Sequence, residues 1–209
     1  MILPGLFAGV LFIGLVIGDR WYFRTLSAEA SRYGCRVGRG EVRVNSVSLD
    51  QIRTCFDGLG LLALRHGVAR LFADTNRILL RPRYPTLLAL FWLWPMKITL
   101  DLRVEGQSIV LSSTKMIPWG SAILTGAWFL IVGVGTIATV ISYVIEGGIA
   151  GAGGVVVGVG ILVMGLVFLL SGLVTVTIAF RLENSRLALV QRELQEVFEG
   201  FPRLRGKQV

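Results

Sequence analysis

The side chains with the chemistry of a reactive site are few in this sequence, and they stand apart. There is one histidine, His66, beside Gly67, and there are two cysteines, Cys35 and Cys55. A catalytic or metal-binding histidine needs partners at fixed spacing, and the chain has no Cys-x-x-Cys, His-x-x-x-His or Gly-x-Ser-x-Gly. Zinc held by His66 and both cysteines would have enough ligands but no supporting spacing. The plainer reading is a turn histidine and two isolated thiols, so no metal site is assigned. The glycine-rich run Gly147–Gly160 lacks the Lys-Ser/Thr of a phosphate loop and follows no soluble strand. No cofactor is evident. With no acid, base and nucleophile set in view, the chain reads as a non-enzyme.

The elements that would carry any site are mostly apolar. The sequence is 54% hydrophobic and 16% charged, with mean hydropathy +0.71, the balance of a polytopic membrane protein with one small extramembrane domain. From Ser121 to Phe180 the only charged side chain is Glu146. It splits the stretch into two runs, about 121–145 and 150–180, each longer than the roughly 20 residues that cross a bilayer as a helix. A third run, Ile2 to Gly18, opens the chain. Trp21, Tyr22 and Phe23 extend it into the headgroup layer, and the lack of a basic lead segment argues for a retained span over a cleaved signal. The expected fold is therefore an α-helical membrane protein with three transmembrane helices. A small cytoplasmic α+β, β-rich domain is inserted between the first and second. The segments are 1–24, 25–118, 119–180 and 181–209.

Charge sets the orientation. All 21 Lys and Arg residues lie within Arg20–Lys115 or Arg181–Lys207, and basic residues near span ends stay cytoplasmic. The N-terminus is thus expected outside a bacterial-type inner membrane, with the central domain and the C-terminus in the cytoplasm. On that side a stable disulfide is not expected. The net charge of +8 follows from the same bias and from attraction to membrane lipids. No helix-turn-helix, zinc-finger or RNA-binding pattern is present, so no nucleic-acid partner is expected.

Within the central domain, Thr25–Tyr33 could prolong the first helix up to Gly34. Arg32, Arg36, Arg39 and Arg43 then read as a flexible basic collar. Ser48 and Gln51 form a capping-box pair that predicts a short helix to about Phe56. Val68–Ala73 and Arg77–Arg83 flank Asp74-Thr75-Asn76 as a hairpin. In Ile98–Val104 apolar and polar residues alternate strictly, which predicts one buried and one wet face. Glu105-Gly106-Gln107 turns the chain and Ser108–Met116 returns. Leu87–Trp94 is too short to span. Bracketed by Arg81, Arg83 and Lys97, with Trp92 and Trp94 inside it, the run either fills the domain's core or lies in the membrane interface and docks the domain there; the second reading is preferred.

Beyond the spans, Leu187, Val190, Leu194, Val197 and Phe201 make the tail an amphipathic helix, expected to pack on the central domain. Glycines recur in seams: Gly158, Gly165 and Gly172 after Gly151, with Gly126 and Gly133 as counterparts on the second span. Small residues let membrane helices approach closely. In the first span Gly5/Gly9 and Gly14/Gly18 fall on nearly opposite faces. One face could serve the chain's own helices and the other a different protein. Spans without buried charges do not suit a transporter acting alone. These features point to a non-catalytic accessory or assembly subunit of a larger inner-membrane complex, energy-transducing complexes being one candidate host. Its partners would be lipids and other integral subunits. The alternative is a membrane-anchored binding or regulatory module that senses a lipid, peptide or small ligand.

Overall fold

The capping box forms as expected. In a computed structural model that describes residues 2–45, 48–83, 95–105 and 108–205, Ser48 Oγ accepts from Gln51 N while Gln51 Oε1 accepts from Ser48 N. The first helix α1 spans Ile2–Arg24, and a 3-10 turn follows at Ala30–Arg32. Then come β1 (Cys35–Asn45), α2 (Leu49–Thr54), β2 (Leu61–Ala63), β3 (Gly67–Phe72), β4 (Arg77–Pro82), β5 (Lys97–Glu105) and β6 (Ser108–Ile117). Two long helices complete the chain, α3 (Trp119–Ile145) and α4 (Ala152–Arg205). They divide the chain into a sheet unit, 1–120 with 182–209, and a helical unit, 121–181.

The six strands form one antiparallel sheet in the order β1-β6-β5-β4-β3-β2. The β3–β4 hairpin turns through a 3-10 turn at Ala73–Thr75 and a left-handed Asn76 at φ 46°. Asparagine tolerates that conformation better than most residues. The segment Cys35–Asn45, expected as a flexible basic collar, is instead an edge strand paired along β6, with its register shifted between Arg36 and Gly38. Its arginines protect an edge that would otherwise invite strand pairing. Thr25–Tyr33 does not prolong α1, which stops at Arg24.

β5 departs from its alternating pattern. Lys97, Ile98, Thr99 and Leu100 are all buried, and only Arg103–Glu105 are exposed. Both faces of the sheet are covered there. Ile98 lies opposite Leu80 and Lys115, and Leu80 lies opposite Ala69, so these residues share one face. The end of α4 covers it. Leu187, Val190, Leu194 and Phe198 are fully buried, and a side chain at Gly67 would lie 2.9 Å from Val190. Phe198 takes the place expected for Val197. At about 100° per residue, position 198 returns to within about 20° of Leu187, whereas 197 falls about 80° away. Thr99, on the other face, meets the linker that follows α1.

In the helical unit, α3 and α4 are long enough and apolar enough to cross a membrane. α4 continues from the last apolar run into the tail as one unbroken helix of 54 residues. No proline or glycine pair interrupts the chain near Phe180, so nothing there ends the helix. The turn between α3 and α4 uses Gly147 at φ 77° and Gly151 at φ 86°, a conformation that suits glycine.

Candidate functional site: a charged junction and two glycine surfaces

A linker laid across a sheet has carbonyls that no regular ladder can satisfy, and buried carbonyls need donors. Here side chains of the sheet supply them. Arg81 Nη1 donates to Arg24 O and Arg70 Nη1 to Leu26 O. Lys97 Nζ donates to Ala30 O at 2.5 Å, and Thr99 Oγ1 to Ser31 O at 2.8 Å. The bond to Arg24 O also places a cation at the carbonyl end of α1, where the helix dipole favours positive charge.

Asp19 joins the elements at this end of α1. Its Oδ1 accepts from Tyr33 Oη at 2.5 Å, and its Oδ2 accepts from Gly120 N at 2.9 Å. The second bond caps the start of α3, whose first amides lack partners within the helix. Tyr22 stacks edge-on against Tyr33, with ring centroids 4.9 Å apart. The carboxylate beside Tyr33, followed by burial, pushes its phenol up to about 12. Gly34 closes the linker at φ 132°, where a Cβ would lie 2.8 Å from Ile117 O and 2.9 Å from Phe23.

Lys97 was expected as a basic flank at the membrane interface, yet it is 1% exposed. Its Nζ sits 4.1 Å from the centroid of the Phe23 ring, a cation–π arrangement. Burial pulls its pKa down to about 8; Asp19 opposes the shift and Arg81 adds to it. Arg81 is half-buried at the same junction, while Arg83 is exposed and donates its N–H to His66 O at 2.8 Å. Trp21 is 73% exposed. Trp92 and Trp94 lie outside the described residues, as does the preferred docking role of Leu87–Trp94.

The sequence did not single out Asp19, Tyr33 or Arg70. A lone carboxylate directly after the first apolar run was the available signal for Asp19. Glu193 lies off the apolar spacing of the tail helix and carries no sequence signal of its own. It accepts from Arg65 N at 2.7 Å and His66 N at 3.1 Å, tying α4 to the β2–β3 turn. Burial opposes its ionisation, but these backbone donors prevail and hold it below the usual carboxylate range. His66 sits beside it, with Nδ1 3.4 Å from Glu193 Oε2. Cys35 and Cys55 are free thiols. Among the described residues no group of three or more potential ligands is placed to hold a metal ion.

The glycines divide into two sets. In the helical unit a Cβ on Gly165 would lie 2.3 Å from Thr136, one on Gly172 3.0 Å from Trp128, and one on Gly158 3.7 Å from Tyr143. Thr136, Trp128 and Tyr143 therefore face this seam, in place of the expected Gly126 and Gly133. Among the described residues those two have nothing within 4 Å of a Cβ position, and the same holds for Gly9, Gly14 and Gly18 on α1. Gly5 lies within α1. An open groove of about 680 Å³ runs between α3 and α4, lined by Gly135, Thr136, Gly160, Met164 and Phe168 among others. No protein-family model matches the chain, and neither a curated protein nor a solved structure matches it.

Proposed function

We propose that this chain is a non-catalytic accessory or assembly subunit of a larger inner-membrane complex. In this reading α1 is a third span, in addition to α3 and α4. The N-terminus lies outside, and the sheet unit and the end of α4 lie in the cytoplasm. The apolar side chains exposed along α1, such as Phe7 at 68% and Leu15 at 71%, support its placement in lipid. The observation that carries the reading is the contrast between the glycine sets. Gly165 and Gly172 are filled by α3, whereas Gly126, Gly133, Gly9, Gly14 and Gly18 have no neighbour within 4 Å among the described residues. Small residues are a main route to close helix approach in lipid, so the open set is available to other integral subunits and to packing of α1 on its own chain.

Solubilisation in a mild detergent, followed by identification of what migrates with the protein, tests the proposal. A stoichiometric membrane partner is expected. Gly126→Leu or Gly14→Leu should release it while the chain stays folded, and Gly165→Leu should disrupt the α3–α4 pair itself. A lone monomer from native membranes would overturn the proposal in favour of a free-standing binding module.

A further inference from the structure

The sheet has two edges of unlike character. At one, β2 is three residues long, too short to hold a further strand firmly. At the other, β1 runs for 11 residues and, among the described residues, is paired on one side alone, by β6. Its outer side offers N–H and C=O groups on which an extended segment can add as another strand. The register shift between Arg36 and Gly38 interrupts that template, so its regular part is 38–44.

The side chains along that part are ordered by sign. Arg39, Glu41 and Arg43 lie opposite Thr114, Ser112 and Val110 of β6, so the three share one face. All three are exposed. Among the described residues none of them has an ion pair or a side-chain hydrogen bond. The carboxylate beyond Ser112 in the same row, Asp101, is already bound to Arg77 at 2.6 Å.

Charges on an edge turn away an apolar strand, and like charges directly opposite one another destabilise a pairing. A strand with an acid, a base and an acid at alternate positions meets the reverse, since each of its charges faces one of contrary sign. That pattern reads the same in both directions, so it matches β1 whether the added strand is parallel or antiparallel. Residues 1, 46–47, 84–94, 106–107 and 206–209 contain no Asp or Glu, so they do not supply it. A second copy of β1 answers less well. Centred on Glu41 it sets like against like at all three positions, and centred one residue to either side it leaves one arginine of each copy unanswered.

We infer that β1 is a docking edge for an extended segment of another protein, one with acid, base and acid at alternate positions opposite Arg39, Glu41 and Arg43. The inference rests on the sheet unit alone, and neither the spans nor the accessory role enters it.

The test uses the full chain in a neutral detergent at low salt, with three dye-labelled synthetic peptides. The first is Val-Thr-Glu-Thr-Lys-Thr-Glu-Thr-Val. The second exchanges Lys for Glu throughout, and the third, Val-Thr-Thr-Glu-Lys-Glu-Thr-Thr-Val, keeps the composition of the first but sets its charges side by side. Fluorescence anisotropy should show the first bound about tenfold more tightly than either of the others. Hydrogen exchange in that complex should slow across 38–44 and stay unchanged across β4. Glu41→Lys should weaken the first peptide about tenfold, because an attraction becomes a repulsion. A peptide with Glu in place of the central Lys should restore the loss. Arg43→Glu probes the same face and decides if Glu41→Lys fails to fold. Asp74→Lys is the control: it makes the same charge change at an exposed site in the β3–β4 turn and should bind as the parent does.

No binding of the first peptide at millimolar concentration would overturn the inference. Equal binding of the first and third peptides would overturn it too, by reducing the edge to general charge. A chain that dimerises by itself and becomes monomeric as Glu41→Lys would assign the edge to a second copy instead. Selective binding of the first peptide, with no stoichiometric membrane partner found in native extracts, upholds the docking edge and removes only the accessory role.

Discussion

Lys97 shows how a residue's type and its role can part. A lysine beside a tryptophan-rich run reads as a membrane-surface anchor, yet this one is buried between Phe23 and Ala30 O. Folding lowers its pKa from 10.5 to about 8, so the folded chain disfavours the charged form. The cost to stability is fully present below pH 8 and is relieved as pH rises towards 10.5, by up to about 3 kcal/mol. Tyr33 acts in the opposite sense higher on the scale. Its phenol is raised from 10.0 to about 12, so the fold favours the neutral form and begins to lose stability above pH 10. Stability measured by denaturant unfolding should therefore rise between pH 8 and 10. Lys97→Met should abolish that rise. A flat or falling profile in the parent would contradict the buried position of Lys97.

Among the elements, β3 and the end of α4 pack closely enough that a single residue governs their contact. A Cβ at Gly67 would lie 2.5 Å from Arg81 O and 2.9 Å from Val190, so it would meet backbone on one side and a packed side chain on the other. Gly67→Ala should destabilise the sheet unit by about 1–3 kcal/mol, the usual cost of overpacking. Gly58 has nothing within 4 Å of a Cβ position, and Gly58→Ala should stay within about 0.5 kcal/mol of the parent. Chemical denaturation of the two variants compares them directly. Equal stabilities would mean that α4 does not press on β3 at this point. The amphipathic spacing of the tail was legible because Leu187, Val190 and Leu194 share one helical face whatever they pack against. The unbroken run of α4 was obscured by the shift from apolar to charged residues after Phe180, which changes the helix's surroundings without changing its backbone.

For the whole molecule, orientation is the testable property. With Cys35 and Cys55 replaced by Ser, a cysteine placed at Glu146 should react with a membrane-impermeant reagent in intact cells. One at Gln191 should react only after permeabilisation. Labelling of Gln191 from outside would reverse the proposed topology. The apolar runs, the capping box, the β3–β4 hairpin and the helical tail follow from the sequence alone. Each is set by local backbone preference or by a periodicity within a few turns, and neither depends on what lies across the fold. Tertiary structure decided the rest. The alternation in β5 predicted a wet face, but the linker after α1 covers it, and only the folded chain brings Ala30 and Ser31 onto Lys97 and Thr99. The glycine spacing predicted a seam without naming its partners, because a missing side chain carries no information about what fills the gap. Asp19 likewise takes Tyr33 and Gly120, and a hydrogen bond between residues so distant in sequence leaves no periodic trace in it.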